Sequence, residues 1–317
     1  MSGQGASPLV AVIATGGTIA SRRGADGAST PCLSGEDLLA LVPQVNARLK
    51  PVDLMAKDSS SLTLADMQRI SDAVGIELSD PAVTGIVVLH GTDAMEESSL
   101  LVHVQHALAK PVVFTGAQFT ADHRQADGPA NLARAIETAL DQRNAEKGVL
   151  LSFGGRCLPA WGLYKLSADA ADAFRSARPL IQAVAPKLAA SVTDTRVDIV
   201  AIHPGCDATH IDASLEAGAK GIVLAALGSG NANPLIAEAV KRCAERGVPV
   251  VVSSRVPEGQ LVASYGGGGG GHDLVAVGAV HSSTLRPGQA RILLAALLAG
   301  NSSAETIVSA FSEPLSH

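Results

Sequence analysis

Short apolar runs alternate along the chain with stretches whose apolar residues recur every three or four positions. The short runs predict strands at Leu9–Ala14, Gly85–Leu89, Pro111–Thr115 and Gly148–Phe153, then at Val197–His203, Gly221–Ala226 and Pro249–Ser253. They are rich in Val and Ile and bounded by Gly or Pro, the pattern of strands buried on both faces of a parallel sheet. The longer period predicts helices at Gly35–Leu41, Ala65–Ile76, Glu96–Leu108, Pro129–Arg143, Ala208–Ala217, Pro234–Arg246 and Pro287–Leu298. Thr63 with Asp66 three residues on resembles a capping box. Asn233 before Pro234 is a good N-cap followed by a favourable first helical residue, and Gly247 after Arg246 is a natural stop. The alternation implies βα units with right-handed crossovers, hence an α/β fold.

The stretch Ala183–Arg196 keeps neither period and reads as a linker. The expected organisation is a larger N-terminal domain over 1–185, a linker over 186–198 and a smaller C-terminal domain over 199–317. No period of 20–50 residues recurs, so this is not a repeat protein. One segment has low complexity: Tyr265 is followed by glycines Gly266 through Gly271. Such a run is costly to order and predicts a mobile surface loop. No Gly-Lys-Ser/Thr follows it, which argues against a phosphate cradle. A loop that orders over a substrate is the remaining reading.

Composition narrows the class. The length of 317 residues suits two domains and an ample core. A content of 47% hydrophobic but only 3% aromatic residues means a core of Ala, Val, Leu and Ile. A net charge of −6 argues against nucleic acid and anionic membranes as partners. No apolar run is long enough to span a membrane. The segment Met1–Pro8 has neither the basic start nor the apolar stretch of a signal peptide. The four cysteines, Cys32, Cys157, Cys206 and Cys243, show no CxxC spacing, which fits reduced thiols in a cytoplasm. Neither a metal nor a cofactor is expected.

Two turns carry the candidate chemistry. Val10–Ala14 stops at Thr15-Gly16-Gly17-Thr18, and Ile86–Leu89 stops at His90-Gly91-Thr92-Asp93. Each sets a threonine hydroxyl at the carboxyl end of a buried strand, where open α/β sheets bind ligands. Gly16 and Gly17 permit a tight turn with N–H groups turned to an anion, an oxyanion as readily as a phosphate. The first turn lacks the Gly-x-Gly-x-x-Gly of dinucleotide folds. A threonine is a poor nucleophile unless something removes its proton. Asp93 reads either as a helix N-cap or as a carboxylate aimed at a cationic group. Glu96 and Glu97 then read as first-turn residues that favour the helix dipole.

These residues carry a resemblance. Ala14–Ala20 and Leu89–Glu97 resemble the two signature motifs of the bacterial-type L-asparaginase family. Lys57–Thr63, Thr115–Gln118, Ala126–Leu132 and Ser253–Pro257 continue it, in order, over nearly the whole chain. The resemblance implies a hydrolase, an L-asparaginase amidohydrolase that converts L-asparagine to L-aspartate and ammonia. It implies a smaller C-terminal flavodoxin-like α/β domain behind the N-terminal one. Thr18 matches the catalytic nucleophile, Thr92 and Asp93 the second threonine and its aspartate, and Lys165 the lysine paired with that threonine. Gly17, Ser59, Ser60, Ala117 and Asn231 match substrate-binding positions: Ser59 and Ser60 for the α-carboxylate, the Ala117 carbonyl for the amide NH₂, Asn231 from a neighbouring subunit. A homotetramer built from tight dimers follows from the same resemblance.

Three departures stand out. Many members carry a tyrosine in the loop after the first threonine; Ser21–Pro31 has none, and Thr30 is the candidate replacement hydroxyl. Ser60 stands where members often have a glutamine. The glutamate offered by a neighbouring C-terminal domain has no certain counterpart, with Glu258 and Asp273 as candidates near the glycine run, which would act as a flap. Other readings are a glutaminase-asparaginase, an amidotransferase subunit, an amino-acid-binding sensor without turnover, and a phosphate-binding α/β protein.

Overall fold

The computed structural model describes residues 7–24, 26–42, 45–177 and 187–312. The chain divides into two compact units, Met1–Ala185 and Pro186–His317. The first holds β1 (Leu9–Gly16), β2 (Ser21–Arg23), β3 (Ser29–Pro31), α1 (Gly35–Ala40), β4 (Arg48–Lys57), α2 (Leu64–Ser79) and β5 (Val83–Leu89). It continues with α3 (Met95–Gln105), β6 (Val112–Thr115), α4 (Gly128–Leu140), β7 (Leu150–Phe153), β8 (Arg156–Pro159), β9 (Leu163–Lys165) and β10 (Phe174–Ser176).

Its main sheet runs β4-β1-β5-β6-β7-β8, parallel except for β8. Alternate residues of β1 feed two cores. Ala11 and Ile13 pack with Ile70 and Val74 of α2 and Met95 and Val102 of α3. Val10, Val12 and Ala14 pack with Leu38 of α1 and Leu132, Ala135 and Ile136 of α4. Helices therefore cover both faces, which is why these strands are apolar on every residue and not on alternate ones. Strand order decides where a ligand can go. From β1 the chain crosses to β4 on one side, then returns to β5 on the other. Adjacent βα connections thus diverge above β1 and β5, and open sheets bind ligands outside the strand ends at such a reversal.

The expected strands and helices of this unit all form, with ends shifted by a few residues. Thr63 and Asp66 make the reciprocal capping box. The long edge strand β4 escapes a reading from periodicity. Pro51 interrupts it, and its residues are half-buried without alternation; as an edge strand it tolerates the missing N–H.

The second unit holds β11 (Val197–Ala201), α5 (Thr209–Glu216), β12 (Gly221–Ala226), α6 (Pro234–Glu245), β13 (Val250–Ser254), α7 (Gly271–Ala276), β14 (Val280–His281), α8 (Pro287–Ala299) and α9 (Ala304–Phe311). Its sheet is parallel, in chain order β11-β12-β13-β14. The order with one reversal that typifies flavodoxin-like sheets belongs to the N-terminal unit. Asn233 caps α6 by accepting from the Ile236 N–H, with Pro234 next.

The glycine run is the expected surface loop only in part: Gly266, Gly267 and Gly268 are exposed, while Gly269, Gly270 and Gly271 are buried. Gly268 and Gly270 donate their N–H groups to the Asp273 carboxylate at 2.7 and 3.1 Å, and Gly271 opens α7. A Cβ on Gly269 would overlap the backbone of Asn233, and one on Gly270 that of Tyr265. At Gly269 and Gly270 backbone packs on backbone, a steric demand that composition alone does not reveal. Among the described residues no helix is long and apolar enough to cross a membrane.

Candidate active site

The ends of β1 and β5 lie side by side, with Ala14 paired to Leu89. Thr15 locks them: its buried hydroxyl donates to the Leu89 carbonyl at 2.8 Å. The chain then turns through Gly16 and Gly17 at φ 101° and 80°, a region glycine enters without strain. A Cβ on Gly17 would stand 2.5 Å from Gly91 Cα, and one on Gly91 would stand 2.5 Å from Ser59 Oγ. The turn after β1 therefore touches the backbone after β5 with no side chain between them, and the Ser59 side chain, from the loop after β4, packs on Gly91. The N–H of Gly17 is not turned to an anion as expected; it donates to the Lys57 carbonyl at 3.1 Å. What Gly17 contributes is room.

Thr18 follows, half-buried, on a single 3-10 turn, Thr18–Ala20. The Ser21 hydroxyl and the Ala20 N–H both donate to the Gly17 carbonyl, at 2.8 and 3.1 Å, and fix how this turn leaves the sheet. Next comes the antiparallel hairpin of β2 and β3. It is tied down at its base: Ala121 N–H donates to the Ser21 carbonyl, and Arg23 N–H to the Asp122 carboxylate. Thr30 is exposed on β3. Tyr164 is buried on β9, and Tyr265 is exposed in the second unit.

The second turn presents Thr92, buried, and Asp93. The N-cap of α3 is Ala94, so Asp93 does not cap it. The Asp93 N–H donates to Ser59 Oγ at 3.1 Å, while its carboxylate, 60% exposed, meets Lys165 Nζ at 2.8 Å. The same Nζ donates to Thr92 Oγ1 at 2.8 Å. Lys165 is the last residue of β9 and its side chain is only 21% exposed, unlike the solvated surface lysine that residue type alone predicts. A hydroxyl, an amine and a carboxylate thus meet within direct proton-transfer distance.

The flanking loops are held by residues whose part the sequence did not disclose. Asp127 accepts from the N–H groups of Gln118 and Phe119 at 3.0–3.1 Å, and from Asn131 Nδ2 at 3.0 Å. Asn131 also donates to the Gly116 carbonyl. Together they set the backbone of buried Ala117 above β6. Below Ser59, Lys57 pairs with Asp66 at 2.8 Å. That ammonium, with the Thr63 hydrogen bonds, holds the Asp66 carboxyl down at about 2. Ser59 is buried and Ser60 exposed.

The Asparaginase N-terminal family model matches residues 9–194, and the Glutaminase/Asparaginase C-terminal domain model matches residues 196–311. The chain belongs to the asparaginase family. It is similar to a probable L-asparaginase of Deinococcus radiodurans, 33% identical over 96% of this chain and 98% of that protein. It is similar to L-asparaginase 2 of Escherichia coli, 30% identical over 91% of this chain and 88% of that one. A crystal structure of a probable cytoplasmic L-asparaginase from Campylobacter jejuni superposes with a TM-score of 0.85 at 27% identity, covering 96% of this chain and 99% of that one. The two-domain α/β architecture is that of the family.

Eight of the nine expected site residues lie in the first unit, on the turns and loops after β1, β4, β5 and β6 and at the end of β9. Asn231 lies in the second, in the turn after β12. It bridges Leu227, and its Oδ1 accepts from the Gly271 N–H at 3.1 Å. Asp273 is engaged with the glycine N–H groups, and Glu258 is exposed. Sequence reasoning missed Glu96. Its half-buried carboxylate accepts from the Lys165 backbone N–H at 2.7 Å, a link the paired glutamates gave no sign of. Burial pushes this carboxyl up to about 7, against the opposing pull of the Lys165 N–H bond, with Glu97 adding a like charge.

That value carries a sign. A carboxyl with a raised value in the folded protein binds its proton more tightly there than in the unfolded chain. Its contribution to stability is complete below about 4.5 and is lost as pH rises to about 7. The full effect is on the order of 3 kcal/mol. Thermal melts of Glu96→Gln against the parent should show that this slope disappears; equal slopes would refute the assignment.

Proposed function

We propose that this protein hydrolyses L-asparagine to L-aspartate and ammonia through a covalent intermediate on Thr18. The observation that carries the reading is the convergence of Lys165 on Thr92 and Asp93, one strand away from the Thr18 turn at the reversal of strand order. Thr18 Oγ attacks the side-chain amide carbon and gives up its proton. The C–N bond breaks and the protonated nitrogen leaves as ammonia. Water then attacks the resulting β-aspartyl ester, which releases L-aspartate and restores the hydroxyl.

Lys165 and Thr92 serve proton transfer in this scheme. Asp93 holds the α-ammonium with the carboxylate oxygen that Lys165 leaves open. Ser59 and Ser60 receive the α-carboxylate, and Ala117 offers its carbonyl to the amide NH₂. Gly17 keeps the turn thin enough for the substrate. Asn231 enters from a neighbouring copy in a homotetramer. A cytoplasmic setting agrees with the four free cysteines, two of them exposed, and with the cytoplasmic relative from Campylobacter jejuni. The short Ser60 leaves space for a longer substrate, so L-glutamine is the second substrate to try.

Ammonia release from L-asparagine and L-glutamine tests the proposal. Turnover of L-asparagine is expected. Binding of L-asparagine or L-aspartate with no hydrolysis of either amide would mark a sensor and end the enzymatic reading.

A further inference from the structure

Lys165 reaches Thr92 from the end of a short strand. Strand β9 is three residues long and, among the described residues, pairs with β10 alone; Leu163 anchors it in the core, while Lys165 at its end is only partly buried. Yet its last side chain must meet two groups on another connection, Thr92 Oγ1 and Asp93 Oδ1, both at 2.8 Å. Glu96 spans the gap. It sits in the first turn of α3, three residues beyond Asp93, and its Oε2 accepts from the Lys165 N–H at 2.7 Å. Removing a carboxylate from water is costly unless a partner offsets it. A glutamate that served only the helix dipole would gain the same benefit while fully solvated.

We propose that Glu96 is a positioning residue, which clamps the backbone of Lys165 to α3 so that Nζ is delivered to Thr92 and Asp93 together. The clamp makes the strand carrying the lysine and the turn carrying the threonine move as one body. Among the described residues, charged groups that act on it include Glu97 on its own helix and Lys165 on β9, with Asp93 on the far side of the lysine Nζ. The proposal rests on the catalytic reading above for its consequence in turnover, but not for its geometry.

Two variants separate the possibilities. Glu96→Gln keeps an acceptor oxygen for the Lys165 N–H; Glu96→Ala keeps none. Amide hydrogen exchange reads the clamp directly. The Lys165 N–H should exchange at least ~10-fold faster in Glu96→Ala and stay protected in Glu96→Gln. With L-asparagine, Glu96→Ala should lose ~10–100-fold in kcat, the scale of a misplaced catalytic group, while KM changes less than about threefold; Glu96→Gln should recover most of the loss. If Glu96→Ala does not fold, Glu96→Asp takes its place, since its shorter side chain withdraws the carboxylate from the N–H, and the same faster exchange and lower kcat are expected. Unchanged Lys165 exchange, or unchanged kcat in a folded Ala or Asp variant of an active enzyme, overturns the proposal. A parent without turnover whose Lys165 loses protection in these variants would overturn the catalytic reading and leave the clamp standing.

Discussion

Replacing Thr18 by alanine is expected to lower kcat for L-asparagine by at least ~10³-fold, as for other members of a catalytic unit. The residue stands on the 3-10 turn that leaves β1 through two glycines at positive φ. That turn is fixed by backbone hydrogen bonds and by the Ser21 hydroxyl, none of which involves the Thr18 side chain. Alanine keeps the Cβ, so the turn keeps its shape and the melting temperature stays within a few degrees. What disappears is the oxygen proposed to form the ester. Steady-state ammonia release measures the loss, and turnover near the parent rate would remove Thr18 from the mechanism.

Thr92→Val is expected to cost at least ~10³-fold in kcat for a different reason. Valine matches the threonine in shape and suits a buried site, so the backbone contacts around Gly91 and Ser59 persist. The Lys165 Nζ loses its 2.8 Å partner and is left with Asp93 alone. The pair proposed to take and return a proton is broken while the carboxylate that would receive the substrate ammonium remains. The expected signature is therefore a fall in kcat with KM changed much less. A variant in which only KM rises would make Thr92 a binding residue, with the proton carried elsewhere.

The sequence was most legible where chemistry and sterics coincide. The Gly-Thr turns stood out because each ends an apolar run with a hydroxyl at the carboxyl end of a strand, and strand order then put both turns at the reversal. The capping residues Thr63 and Asn233 were readable because their bonds are local. Lys165 was not readable from its own surroundings. Its partners lie about seventy residues away in the chain, and only the resemblance to the family singled it out. Glu96 does stand in the first turn of α3 as its pattern indicates, but its bond to Lys165 was not legible, because a first-turn glutamate has the same local pattern whether it faces solvent or a neighbouring strand. Asp127 and Asn131 belong to one of the resembling motifs, yet their work, holding the Gln118 and Phe119 N–H groups and the Gly116 carbonyl together, is tertiary. The glycine run was legible only in part: Gly266, Gly267 and Gly268 form the exposed loop that composition suggests, while the backbone contacts of Gly269 with Asn233 and of Gly270 with Tyr265, which leave no room for a side chain, are tertiary.

The account turns on which hydroxyl carries the acyl group. Acid-quenching the enzyme during turnover of L-asparagine, followed by digestion and mass spectrometry, reads this directly. The prediction is a β-aspartyl adduct on the peptide containing Thr18, absent from the Thr18→Ala variant. An adduct on the peptide containing Thr92, or rapid turnover with no adduct on either, would contradict it.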